Sequence, residues 1–295
     1  LWQQVAAFAG YGFNQGHATA YADVSYRSAY LKTHWPAEFL CARLADWGGF
    51  HHQAVYIAEA RRLGIPVRPP HINWSGRKFT LSWEGDAPTL WMGLDQVRSL
   101  RRATQTAMIG ARQAHPFRDL RDLLARVELQ RREVANLIRC GALDGLGTSR
   151  AALLEEAAEV YRSGSSAQLA FAFTDLTVPQ EALADRLRWE RKILGQPVSE
   201  SPLALLAAGA RGANLFVVQR RPGQEVKLAA VRLPGWTGGK GFFVSDATTF
   251  AVALPPDELP APRAWEIVHI RGRWLEDERL GGYLRVDAMH SESVL

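Results

Sequence analysis

Phe8-Ala-Gly-Tyr-Gly-Phe-Asn-Gln-Gly-His17 runs on into Ala18-Thr-Ala-Tyr-Ala-Asp-Val-Ser-Tyr-Arg-Ser-Ala-Tyr-Leu-Lys32 and then Trp35-Pro-Ala-Glu-Phe39. Tyr21, Val24, Ser28, Leu31 and Trp35 recur at steps of three and four, which predicts a helix over about 18–34 with those residues on one stripe. The glycine-bearing loop before it delivers Asn14, Gly16 and His17 to the helix N-terminus. Backbone N–H groups lack intrahelical partners there and the helix dipole is positive, so the position is an anion site that suits a triphosphate. Tyr11 adds a ring and a hydroxyl. On the residues alone a second role stays open, in which Asn14 only caps the helix and His17 packs in the interior.

Outward from this stretch, Pro36 ends or restarts the chain direction. A second helix is predicted over about 52–63, closed by Gly64. Pro66, Pro69 and Pro70 hold 65–70 extended. Short strands follow at 79–83 and 89–92 around a turn at Glu84, Gly85 and Asp86. From 94 to 162 the pattern is helical, with breaks at Gly110, His115-Pro116 and 141–147. Residues 163–166 are a Ser/Gly linker, and 183–194 is a helix stopped by Gly195-Gln196-Pro197. The last third changes character. Six short β-branched or aromatic runs, at 215–219, 226–233, 241–246, 249–254, 267–274 and 283–287, are separated by Gly/Pro turns and suit a small barrel.

The chain has 295 residues, enough for about two or three domains, and its apolar fraction of 47% is that of a protein with a core. No run approaches the roughly 20 apolar residues of a membrane span, and no signal peptide is read at the start. Leu1 already sits in a helical pattern, so the start reads as a cut. Cys41 and Cys140 lie apart, outside any zinc-type spacing, and read as free thiols in a reducing cytoplasm. The net charge of +5 is unevenly spread. Residues 98–150 hold eleven Arg, no Lys and five acidic residues, a balance of +6 that leaves the rest near neutral. Guanidinium groups bind phosphate through a two-bond fork, so the segment reads as a polyanion contact or, failing that, a solvated helical surface.

The opening stretch resembles the fingers motif of the alpha subunit of bacterial DNA polymerase III, Phe-Ala-Gly-Tyr-(Gly/Ser)-Phe-Asn-Lys-Ser-His-(Ala/Ser). The similarity continues in order. Ala58-Glu-Ala-Arg-Arg-Leu-Gly64 with Val67-Arg-Pro-Pro-His-Ile-Asn73 resembles the segment ending Leu-Pro-Pro-Asp-(Ile/Val)-Asn. Leu137-Ile-Arg-Cys-Gly-Ala-Leu-Asp-Gly-Leu-Gly147 with Arg150 resembles the helix-hairpin-helix region, and Glu190-Arg-Lys-Ile-Leu-Gly195 with Ser201-Pro202 resembles Glu-(Arg/Lys)-Glu-x-Leu-Gly and His-Pro. The resemblance implies an α+β multidomain chain: the C-terminal part of the polymerase fingers at 1–92, a tandem helix-hairpin-helix DNA-binding domain at 93–162, a linker with a clamp-binding motif and connecting helix at 163–212, and an OB-fold barrel at 213–295.

It also implies site residues. Tyr11, Asn14 and His17 would contact the incoming dNTP, although Gln15 and Gly16 stand where the family has Lys and Ser. Arg98, Arg101, Arg102, Arg131, Arg132 and Arg139 would hold duplex DNA. Val97-Arg-Ser-Leu-Arg101 lacks the glycines of the family's Lys-Gly-(Val/Ile)-Gly turn, so the backbone there approaches a phosphate less closely. Gln168, Leu169, Phe171 and Phe173, in Gln168-Leu-Ala-Phe-Ala-Phe173, resemble the peptide that docks on the beta sliding clamp. Trp236, Lys240, Phe242 and Arg273 are the single-strand candidates of the OB barrel. No Asp-x-Asp pair occurs in the chain, and in the family the Mg²⁺-binding carboxylates lie in an upstream palm. The expectation is therefore a non-catalytic portion of a DNA-directed DNA polymerase, leaning to the error-prone accessory type. No cofactor is expected in this segment and Mg²⁺ in the full-length enzyme. Expected partners are duplex and single-stranded DNA, dNTP, the clamp and other replisome or translesion subunits, with no membrane and a cytoplasmic location. The competing reading is a non-catalytic DNA-binding and clamp-docking module.

Overall fold

The computed structural model describes residues 2, 15–46, 49–147, 149–163, 181–235, 237, 239–277 and 281–295. From Gln15 the described residues form α1 (Gln15–His34), α2 (Pro36–Ala45) and α3 (Gln53–Arg62). Pro36 supplies the first turn of α2, where its missing N–H costs nothing. His52 Nδ1 accepts from the Ala54 amide at 3.2 Å to cap α3, and Gly64 ends it at φ +77°. The stripe read on α1 is not a core face. No residue of α1 is buried, and Tyr26 stays 70% exposed. The helix is tied to the body instead by Lys32 Nζ, 2.7 Å from Glu59 Oε1.

Strands β1 (Val67–Arg68), β2 (Thr80–Glu84) and β3 (Ala87–Trp91) form a sheet in the order β1-β3-β2, with the β2–β3 turn at Gly85 in the left-handed region. A 3₁₀ turn (Leu94–Gln96) leads to α4 (Arg102–Ala111), α5 (Leu120–Arg126), α6 (Arg131–Arg139), α7 (Arg150–Ser163) and α8 (Leu183–Leu194). Gly110 lies inside α4, so the break falls just after it. One apolar core unites these elements, from Leu40, Ile72 and Leu90 through Met108, Leu120 and Ile138 to Leu194. Packing is thus continuous across residues 92 and 93. Burial in this core pushes the Cys140 thiol up to about 12, which leaves it inert.

Five strands, β4 (Glu225–Leu233), β5 (Phe242–Ser245), β6 (Phe250–Leu254), β7 (Ile267–Asp277) and β8 (Gly281–Glu292), close into a barrel in the order β4-β5-β6-β8-β7. The β6–β8 pair is parallel and the other pairs are antiparallel. Residues 215–219, predicted as a strand, are instead a short helix, α9 (Leu215–Val218). Asn214 caps it by accepting from the Phe216 amide, and the Leu215 amide donates to Asp246 Oδ2 at 2.7 Å. Leu215 and Val218, three apart, then point together into the barrel core. Strand β4 is apolar on both faces for a reason. Leu228 and Ala230 face the barrel interior, whereas Ala229, Val231 and Leu233 point outward into an apolar cluster shared with Leu203, Phe243 and Ala54, Val55 and Ala58 of α3.

Candidate nucleic-acid interface

Two hairpins frame the site. The first, Val97-Arg-Ser-Leu-Arg101, joins the 3₁₀ turn to α4. The second, 140–147, lies between α6 and α7. In the second, Gly141 and Gly145 take φ of +87° and +85°, and a Cβ at Gly141 would meet the Arg150 guanidinium at 2.4 Å. In the first, Ser99 sits at φ +65°, so a side-chain-bearing residue holds the left-handed turn that glycine makes without strain. The hairpins are braced. Asn136 Nδ2 donates to the Arg98 carbonyl at 2.7 Å, while Arg150 donates to both Asp144 oxygens and to the Arg139 carbonyl. Glu190, fully buried on α8, accepts from the Val198 and Ser199 amides and meets Arg150 Nη2 at 3.5 Å.

Helix α6 carries Arg131, Arg132, Ala135, Asn136 and Arg139 on one face, at the spacing of successive turns. With Arg98 from the first hairpin and Trp189, Lys192 and Ile193 from α8, they line a cavity of about 490 Å³. No lining residue is acidic, and none of the five cations is paired with a described carboxylate. The Arg139 guanidinium lies 4.0 Å from the Trp189 ring centroid and Lys192 Nζ lies 4.7 Å from it. Arg139 Nε is buried with no hydrogen-bond partner among the described residues, a donor that a ligand oxygen would satisfy. The counting of arginines pointed to four of the cations. Trp189 and Lys192 were missed, because nothing in the local pattern of 183–194 says which residues face α6.

The other expected contacts fare differently. Arg101 gives its amide, Nε and Nη2 to the Glu133 carboxylate at 2.9, 3.0 and 2.9 Å. It is a structural partner rather than a free cation. Burial alone would raise Glu133, but these bonds, with those from the Gln130 amide and the Thr104 hydroxyl, hold its pKa down at about 2. Arg102 is exposed at the start of α4 and does not line the cavity. His17 is exposed in the first turn of α1 with its ring 4.4 Å from Tyr21, which removes the interior-packing role. Tyr11, Asn14, Gln168, Leu169, Phe171, Phe173 and Trp236 lie outside the described residues. On the barrel, Phe242 is 1% exposed because its strand position points inward, so it offers no face to a base. Lys240 Nζ pairs with Asp257 at 2.6 Å, and Arg273 lies between Glu225 and Asp287 at 3.9 and 3.8 Å. Among the described residues no group of three or more His, Cys, Asp or Glu is placed to hold a metal ion, and no helix is long and apolar enough to cross a membrane.

Residues 64–153, which include both turns, match the helix-hairpin-helix motif family. Over the longer chain the likeness is to polymerases. It is 34% identical to the DNA polymerase III subunit alpha of Campylobacter jejuni over 69% of this chain and 19% of that protein. It is 32% identical to the error-prone DNA polymerase of Alkalilimnicola ehrlichii over 86% of this chain and 26% of the relative, and 30% identical to that of Anaeromyxobacter dehalogenans over 92% and 26%. The chain is thus a homologue of the DNA polymerase III alpha subunits and error-prone DNA polymerases, and it spans about a fifth to a quarter of the length of these relatives.

Proposed function

We propose that the chain holds the sugar-phosphate backbone of duplex DNA, without reading sequence, as part of a DNA-directed DNA polymerase of the polymerase III alpha type. One observation carries this: Arg98, Arg131, Arg132, Arg139 and Lys192 converge on a single cavity with no acidic lining residue. Forked guanidinium donors, an Arg139 Nε with no partner among the described residues and an aromatic wall suit phosphate oxygens. Gly145, with open space around it in the second hairpin, would let the backbone of a strand come close.

The finer assignments rest on the resemblance. The barrel's order, with strands one, two and three followed by five and four and a parallel three–five pair, supports an OB fold. Tyr11, Asn14 and His17 are proposed as dNTP contacts and 168–173 as the clamp peptide. In the whole protein Mg²⁺ would be held by carboxylates other than these residues and would activate the attacking 3′ hydroxyl and the leaving pyrophosphate. The part of the described residues is to grip and orient the duplex.

Anisotropy titrations of a labelled blunt duplex over 50–200 mM salt test the reading. Five phosphate contacts give a slope of log K against log salt near −4.5 and a loss of roughly 500-fold across that range. Replacing Arg132 or Arg139 by Gln is expected to reduce the slope by about 1 each, uniformly across sequences. A flat salt response would overturn the proposal.

A further inference from the structure

Beside the second hairpin lies an aromatic cluster that the duplex reading does not use. The Trp74 and Trp91 rings are stacked, with centroids 6.3 Å apart and planes at 21°, and His71 lies 5.6 Å from Trp91 and 6.5 Å from Trp74. Two of the three rings are fixed. Trp91 Nε1 donates to Ser82 Oγ at 2.8 Å. His71 Nδ1 accepts from the Asn73 amide at 3.1 Å, so Nε2 carries the hydrogen and donates to the Asp144 carbonyl at 3.1 Å. Burial lowers the His71 pKa, which keeps the ring neutral. The Ile72 amide also donates to the Ala142 carbonyl at 3.0 Å. Two bonds therefore fasten this cluster to the second hairpin, in which Gly145 has open space around it. Trp74 is not buried by its neighbours; 57% of it remains exposed. Arg68, also exposed, is the registered partner of Trp91 across the β1–β3 pair, so the two side chains stand on one face of the sheet.

We infer that His71, Trp74 and Trp91, with Arg68 at their edge, form a stacking platform for an unpaired base of a strand whose phosphates lie on the second hairpin. A neutral π surface next to a cation takes any base, and base–aromatic stacking is strong enough to read by mutation. The inference rests on the duplex reading and narrows its substrate class: duplex carrying a single-stranded extension, in preference to blunt duplex.

The test compares the full chain on a blunt duplex and on the same duplex with an extension of about six thymidines. Wild type is expected to bind the extended form about fivefold or more tightly. Trp74→Ala should abolish that preference while leaving blunt-duplex affinity unchanged, and Trp74→Phe should keep most of it. Equal affinities in wild type, or a preference that survives Trp74→Ala, would overturn the platform. If wild type binds neither duplex, intrinsic fluorescence with oligothymidylate decides. Quenching lost in Trp74→Ala upholds the platform and removes only the duplex reading; absence of quenching removes both.

Discussion

Glu133 shows how one carboxylate can decide the character of a hairpin. Its side chain is fully buried, and it accepts from Arg101 three times, from Thr104 Oγ1 at 3.0 Å and from the Gln130 amide at 2.8 Å. In a basic domain this carboxylate takes the Arg101 amide that would otherwise be open to a phosphate. The pH consequence follows from the sign of the shift. The folded state holds Glu133 at about 2, below its ordinary 4.5, so the unfolded chain binds the proton more readily. The resulting stability, on the order of 3 kcal/mol, is complete above about pH 5 and disappears as pH falls towards 2. Urea melts between pH 3 and 7 should therefore show a steep acid limb for wild type. Glu133→Gln should be weaker at pH 7 by about 2–4 kcal/mol, with a flatter limb. Parallel curves for the two proteins would contradict this account. Arg101 looked like a DNA contact in the sequence because counting charges cannot see a partner 32 residues away.

Among the elements, those with a strong local signature were legible. Helix α8 occupies the predicted 183–194, Gly64 takes the left-handed conformation of the expected C-cap, and the expected turn at Gly85 and stop at Gly195 are both found, each with its glycine in the left-handed region. Elements shaped by distant contacts were not. Residues 215–219 carry two adjacent valines and read as strand, yet Leu215 and Val218 both enter the barrel core, and residues three apart share a face in a helix and not in a strand. The first hairpin is a mixed case. Loss of the family's glycines was visible, but retention of the left-handed turn by Ser99 was not. A residue with a Cβ pays about 1 kcal/mol for that conformation. Ser99→Gly is thus expected to raise the thermal midpoint by about 2–4 °C, and Ser99→Val to lower it by more. Differential scanning calorimetry reads both, and a lower midpoint for the glycine variant would show that Ser99 is held by more than its backbone.

At the scale of the molecule, the described residues form two apolar cores and a seam. The helical body from Ala37 to Val198 has its own core, the barrel has another, and Ala54, Val55 and Ala58 of α3 meet Val231, Phe243, Trp265 and Ile267 between them. The unbroken apolar run of β4 records this double burial, although from sequence it cannot be told from an ordinary inner strand. The basic cavity belongs wholly to the helical body, whereas Lys240 and Arg273 of the barrel are already engaged by carboxylates. Binding and seam should therefore separate. Ala58→Glu places a carboxylate in an apolar contact, and desolvation without a partner should weaken docking by a few kcal/mol. Neither core contains Ala58, so both should stay folded, and calorimetry should resolve two transitions in place of one. Blunt-duplex affinity and its salt slope should remain within about twofold of wild type, because none of the five cavity cations belongs to the apolar cluster of the seam. A single transition with collapsed affinity would mean that the helical body needs the barrel against α3 to keep its arginines in register.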